Sequence, residues 1–473
     1  MSSPFSSLNT ALSALRYQQA ALDIASTNVA NASTEGYVRR RVVGETVGAA
    51  AAPAVWSRSN EIGSGVQPSG VQRLVDPLLD MRVRREHGRQ SYLDLKGTAM
   101  SRVETGIAEP SDKGVAKAIE TFKNSIADLE NAPNTDAARA QVLANGAVVA
   151  DAFAIQARNV QDELGDQRAR VVATVQEVND LAQQLASTNK TIAGSTGGGD
   201  TATLMDTRDQ LALRLAELTG ATATVRSDGG MDVKLGGQAL VQGGDASTLT
   251  VTPGKMADGV TDDPDKVGFA LTSPAGVTAV VAPADGELAA SAELINSVLP
   301  DYVAELNALV TDFADAFNAA HDDGYDAGGL QGGQFFAYDA SNPAGTLEVL
   351  ITDTSKIALS AVPPPPPPAV PVGNTDTGNA ANLADSITIQ DGYQRLVNGF
   401  GTDVASVKRL ADNQSVMSSQ VDAAREQLAG VSIDEESVNM VMAQRSYEAA
   451  ARVMTTVDSI LDTLINRTGL VGR

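Results

Sequence analysis

The chain offers two imidazoles, His87 and His321, and no cysteine, so the side chains that most often ligate zinc or act as bases near neutral pH are scarce. The two histidines lie far apart in sequence. A chain without thiols builds neither a thiolate nucleophile, nor a cysteine-ligated metal site, nor a disulfide. His321-Asp322-Asp323-Gly324-Tyr325-Asp326 has the residue types of a metal loop but lacks the alternating ligands and closing glutamate of a calcium site. A tight turn whose carboxylates cap backbone amides accounts for it better. Gly194-Ser195-Thr196-Gly197-Gly198-Gly199 has the composition of a phosphate cradle, yet no lysine follows the last glycine, which leaves a hinge. Neither a Gly-x-Ser-x-Gly elbow nor a His-Glu-x-x-His pair occurs. Arg39, Arg40 and Arg41 could form an anion site, a solvated strand face or a contact between subunits. No catalytic, cofactor or metal site is expected, and the chain reads as a non-enzyme.

Position rather than chemistry distinguishes the two ends. Leu8, Leu15, Leu22 and Val29 recur every seven residues, Leu12 and Ala25 widen that stripe, and Arg16 and Asp23 are the only charged side chains before Glu35. At the other end Met440, Ala443, Tyr447, Ala450, Met454, Val457, Leu461 and Leu464 step by alternating threes and fours. This is the spacing of a helix seam, which cannot be buried against itself. Leu8, Leu12, Leu15, Leu22, Val29, Met440, Tyr447, Met454, Val457, Leu461 and Leu464 are therefore the expected assembly interface. Their partner is the opposite end or its copy in a neighbouring subunit.

At 473 residues the chain has room for about three domains and a sizeable core, and aromatics at 4% with a single Trp56 argue against a dense aromatic-packed enzyme core. A net charge of -23 offers no counter-charge to nucleic acid or to an anionic membrane. No apolar run of eighteen residues predicts a membrane span. Residues Met1 to Thr10 have neither a basic nor an apolar signal region, so no cleaved secretory signal is expected, and the missing cysteines suit export in the unfolded state by another route.

Along the chain, the turn formers Asn31 to Tyr37 lead into strands over 38–47 and 66–74, and Asp76-Pro77 caps a helix reaching Glu104. Further helices are predicted over 115–129 and 135–192. In the latter, Leu164, Val171, Val175, Val178, Ala182, Leu185 and Ile192 form a coiled-coil-like stripe that Arg168 and Asn189 interrupt, which predicts bundle packing. After a helix over 204–218, residues 219–284 alternate with period two, as in Met231, Val233 and Leu235. Helices return over 285–320 and 385–427, separated by a glycine-rich turn, a β-like stretch at 347–351 and six prolines, Pro363 to Pro368, expected to form a stiff extended loop. The expected fold is mainly α with an inserted β domain, an α+β multi-domain chain. The terminal helices, 1–37 and 430–473, pair as a coiled coil; 38–218 and 285–429 form a helical body with short strands; 219–284 is a small antiparallel β domain; and 361–380 is a proline-rich loop.

Leu22 through Tyr37 resembles the N-terminal motif shared by bacterial flagellar rod, hook and hook-associated proteins, and Gly430 to Glu436 with Gln444 to Arg452 resembles the matching C-terminal signature. Gly65 to Asp76, Leu204 to Leu211, and Phe317 to Asp326 followed by Phe335-Phe336 look like the hook–filament junction branch of that family. The proline run departs from its usual pattern, and Asn466 to Arg473 run slightly past its usual end.

That resemblance implies a structural component of the flagellum, a junction adaptor between hook and filament that filament assembly requires. It implies export by the flagellar type III apparatus to an extracellular position without a cleaved signal. The implied partners are identical subunits in a ring, the hook protein, a second junction protein, and an export chaperone covering the C-terminal helix. Folding of the ends would then be coupled to assembly. Two other readings remain: another axial protein, such as a hook protein or flagellin, or a secreted hydrolase or adhesin carrying flagellar-type ends.

Overall fold

The structure, a computed structural model, describes residues 4–47, 65–195, 200–256, 259–363, 376–463 and 465. Trp56, most of the Gly194 to Gly199 hinge, Pro364 to Pro368 and Leu464 lie outside them. Helix α1 (Pro4–Ala30) begins the described chain and α11 (Ile433–Asp462) closes it, and the two pack along each other more extensively than any other pair of elements. Between α1 and the body runs an antiparallel hairpin, β1 (Arg40–Thr46) with β2 (Val66–Arg73), in the register Arg40 to Arg73, and it also packs on α1. The turn leading to it closes on Gly36, whose φ of 76° a residue with a side chain adopts only at a cost.

Helix α2 (Pro77–Ile107) starts where the sequence predicts: Asp76 Oδ1 accepts from the amides of Leu78 and Leu79, and Pro77 occupies a position that needs no donor. Helices α3 (Val115–Asn131), α4 (Asp136–Gly194) and α5 (Asp200–Thr219) follow. After the β insertion, α6 (Gly286–Glu293) passes through one π turn, Leu294–Val298, into α7 (Leu299–Asp322).

Low aromatic content does not leave the body without an aromatic cluster. Phe122, Phe313, Phe317, Phe335 and Phe336, five of the nine phenylalanines, interlock in one cluster, with Phe335 4.8 Å from Phe336 and 4.9 Å from Phe317. A scarce residue type makes a dense core when it is gathered in one place. One stretch of α4 is apolar enough by composition to cross a bilayer, but the helix places Val142, Val149, Phe153 and Val160 in this core.

Strands β3 (Thr222–Val225), β4 (Met231–Leu235), β5 (Gln238–Gln242) and β6 (Asp245–Ala246) form one antiparallel sheet; β7 (Thr248–Lys255), β8 (Asp262–Thr272) and β9 (Thr278–Val281) form a second. Met231, Val233 and Leu235 are buried, as their alternation predicts, and they meet the stripe of α4. That stripe packs on α5 and the strands rather than on a helix bundle alone. The polar residue interrupting it has a use there. Asn189 donates to the carbonyls of Met231 (2.8 Å) and Gly243 (2.7 Å) and accepts from the Met231 amide (2.9 Å), bracketing helix to sheet.

Beyond α7, the strands β10 (Phe336–Ala337) and β11 (Glu348–Val349) pair around α8 (Pro343–Thr346). Then α9 (Ala380–Ser386) packs on α3 and α7, and α10 (Ile389–Ala429) returns along α2 to the terminal helix, with Gly430 capping α10.

Candidate assembly interface

The start of α11 is held by its own sequence. Ser432 caps it by accepting from the Glu435 amide at 3.4 Å, and Asp434, Glu435 and Glu436 place negative charge in its first turn, where the helix dipole favours it. Glu436 turns inward and is buried. It accepts from Asn28 Nδ2 at 3.0 Å and from Arg39 Nε at 2.8 Å. Asn28, fully buried on α1, also donates to the Arg40 carbonyl (2.8 Å) and accepts from the Arg40 amide (3.1 Å) and the Tyr37 hydroxyl (2.8 Å). An asparagine amide has two donors and an acceptor with two lone pairs, and here all are used. Arg39 adds an ion pair to Glu435 at 2.8 Å and a backbone bond to the Ala429 carbonyl at the end of α10.

A second set of bonds joins this knot to the body through α5. Arg40 pairs with Asp206 (2.7 Å) and lies over the Tyr37 ring; Arg73 bridges Asp206 and Asp209, both at 2.7 Å; Gln210 donates to the Glu35 carbonyl at 2.7 Å. The segment Leu204 to Leu211 is thus a socket for the chain that follows α1. For Arg39 and Arg40 this corrects two of the three readings of the arginine run, the anion site and the solvated face. Arg39 and Arg40 are spent on carboxylates within the chain, neither free for an anion nor on a solvated face, and only Arg41 is exposed, bonded to Gln72. Sequence reading missed the socket because acceptor and donor stand more than 130 positions apart.

The described seam residues fall into three groups. Leu8, Leu12, Leu15, Leu22 and Val29 on α1, and Met440, Met454 and Leu461 on α11, are half-buried; Val457 is buried, as are Ala11, Ala25 and Ala443 beside them. Tyr447 is exposed, and Leu464 lies outside the described residues. A further apolar line on α11, Val438, Met442, Val453 and Ile460, is exposed, each residue by about half. Its spacing of 4, 11 and 7 keeps it on one helical face, turned away from the seam. The intervening Arg445 and Thr456 hid it in the sequence.

The remaining motifs are structural. Asn318 accepts from the amides of Phe335 and Phe336, each at 2.8 Å, and donates to the Phe336 carbonyl at 2.9 Å. His321 is fully buried: Nδ1 donates to the Gly333 carbonyl at 2.7 Å, Nε2 accepts from the Ala358 amide at 3.0 Å, and burial pushes its pKa down. Asp326 accepts from the Leu330 amide. Among the described residues no group of three or more histidine or carboxylate side chains is placed to hold a metal ion.

The helical-domain model of flagellar hook-associated protein FlgK matches residues 100–336, and flagellar hook-associated protein 1 of Bacillus subtilis (strain 168) is 30% identical over the full length of both chains. The chain belongs to the flagellar hook-associated protein 1 family. The counterpart from Escherichia coli (strain K12) is 25% identical over 97% of this chain and 99% of its own. A solved structure, the flagellar hook junction protein FlgK from Burkholderia pseudomallei, superposes with a TM-score of 0.62 over 74% of this chain and all of that one, at 16% identity, and shares the fold. Two further models, of the flagella basal body rod protein and of the C-terminal part of the basal body rod FlgEFG protein, match residues 8–37 and 427–467. In this chain those two segments contain Asn28, Tyr37 and Glu436, so the hydrogen-bonded knot joins the parts shared with rod proteins. The socket residues Asp206 and Asp209 fall inside the helical-domain match.

Proposed function

We propose that this chain is a structural adaptor at the junction of hook and filament, without catalysis, whose paired terminal helices pack against copies of themselves and against neighbouring axial proteins. The observation that carries the reading is the α1–α11 pair: its seam is only half-covered within one chain, and α11 presents a second apolar line with no partner among the described residues. Exposed apolar faces of this kind are covered by association. The lattice interface is Leu8, Leu12, Leu15, Leu22 and Val29 with Met440, Tyr447, Met454, Val457, Leu461 and Leu464. Identical subunits form a ring, with the hook protein on one side and a second junction protein on the other.

Before assembly the same apolar surface is an aggregation hazard, which supports a chaperone on the C-terminal helix and passage, cysteine-free and unfolded, through the flagellar export apparatus to the cell exterior. Residues 1–37 and 430–473 act as the inner assembly domain, 38–218 and 285–429 as the body, 219–284 as the outward β domain, and 361–380 as a surface loop. Deleting Val438 to Arg473 tests this: the body should keep its melting transition while incorporation between hook and filament is lost. A truncated chain that still joins hook to filament would sink the proposal. Copy number separates it from a hook protein or flagellin, since a junction is a short ring and the other two build long tubes.

A further inference from the structure

Arg84, on the inner side of α2, is 6% exposed, makes no hydrogen bond or ion pair with a described residue, and has its Nε wholly buried. The carboxylates whose charge it feels are engaged elsewhere. Asp80 accepts from Arg425 at 3.1 Å, and Asp209 holds Arg73 at 2.7 Å and Arg208 at 2.6 Å. A guanidinium buried without a partner is costly, and burial accordingly pulls the Arg84 pKa down.

Arg84 lines a cavity of about 570 Å³ between β2, the first turns of α2 and α5, and the β3–β4 sheet. The volume falls in the range of roughly 300–1,000 Å³ typical of small-molecule sites. Its walls are apolar where Val71, Val75, Met205, Val225 and Met231 meet, cationic where Arg73, Arg84 and Arg208 reach it, and acidic at Asp80 and Asp209, whose carboxylates are already taken by Arg425 and by Arg73 and Arg208. The first turn of α5, Thr201-Ala202, also opens onto it. The leading N–H groups of a helix have no carbonyl of their own helix to donate to, and they favour negative charge.

We propose that this cavity binds a small carboxylate with an apolar body, the carboxylate meeting Arg84 and the first amides of α5 and the body lying among Met205, Met231 and Val71. One surplus cation calls for one negative charge, and apolar walls disfavour a multiply charged, fully hydrated ion such as phosphate. Because Arg73, Arg208 and Asp209 serve both the cavity and the socket, an occupant would brace the hairpin against the β sheet.

The full chain carrying ¹³C-methyl methionine tests this, with phenylacetate and 4-methylpentanoate as probes, phenylacetamide as the uncharged match and inorganic phosphate as charge without a body. The acids should shift the Met205 and Met231 resonances saturably. Phenylacetamide, phosphate and the Arg84→Met chain should each bind about tenfold to a hundredfold more weakly, the factor carried by a charged hydrogen bond. The phenylacetamide comparison uses the unaltered protein and decides the matter even if Arg84→Met does not fold. Failure of both acids to produce a saturable shift at millimolar concentration, equal binding of the amide, or undiminished binding by folded Arg84→Met would overturn the proposal.

Discussion

Asn28 and Glu436 stand 408 positions apart in the chain and 3.0 Å apart in the fold. Replacing Asn28 with alanine would strand the Arg40 amide, the Tyr37 hydroxyl and one oxygen of Glu436 in a buried setting, each worth about 1–3 kcal/mol if left unpaired. Asn28→Ala should therefore speed amide exchange in α1 and α11 while leaving the aromatic core of the body untouched. Unchanged exchange in both terminal helices would show that the bond is incidental to their pairing.

Asp206 tests the other half of the attachment. It is buried and receives two guanidiniums, so Asp206→Asn leaves Arg40 and Arg73 short of a counter-charge. Breaking one side of a buried pair costs about 3–5 kcal/mol. The loss should appear as proteolytic cutting between α1 and α2, with the two sheets built from β3 to β9 retaining their stability. A cost below about 1 kcal/mol in urea unfolding would argue against a socket on α5.

Gly36 sits where the chain turns out of α1 towards the socket, at a φ of 76°, and a Cβ there would run into the Gln210 side chain. Gly36→Ala should destabilise by about 1–2 kcal/mol from the left-handed backbone, with the bond from Gln210 to the Glu35 carbonyl lost in addition. Gln210→Ala in the same background separates the two contributions. If the double variant is no less stable than Gly36→Ala alone, that bond is already broken by the glycine change.

Local signals carried much of the fold into the sequence. Asp76-Pro77 marked the start of α2 because a cap acts within one turn, and Met231, Val233 and Leu235 marked a half-buried strand because their period is two. The seams on α1 and α11 were legible as helical periodicity for the same reason. Pairings that depend on distant residues were not. Nothing in the spacing of Arg39 and Arg40 says that their partners are Glu436 and Asp206, and the five-phenylalanine cluster is a fact of topology that a composition of 4% aromatics conceals. The exposed line on α11 was hidden by Arg445 and Thr456, since a stripe is read by continuity and a face is read by angle.

The two histidines should shape stability in opposite directions of pH. Glu217 and Asp422, the latter 2.9 Å from Nε2, raise the pKa of His87 against the opposing effect of burial. A raised histidine pKa gives stability that is complete below the unfolded value of about 6.5 and is lost as pH rises through the folded value. His321 is the reverse: burial lowers its pKa, and both ring nitrogens are engaged in a neutral tautomer, so protonation in the unfolded chain draws stability away as pH falls below about 6.5. Thermal unfolding from pH 5 to 9 should thus show a decline on each side. His87→Gln should flatten the alkaline side and spare the acid one. His321→Gln should lower stability at pH 7 by about 1–3 kcal/mol, from the strained pairing of Gly333 and Ala358, and flatten the decline between about pH 5 and 6.5. Glu217, whose pKa His87 lowers, loses its contribution only further into acid, so it does not blur that window. An alkaline decline that persists in His87→Gln would remove His87 as its cause.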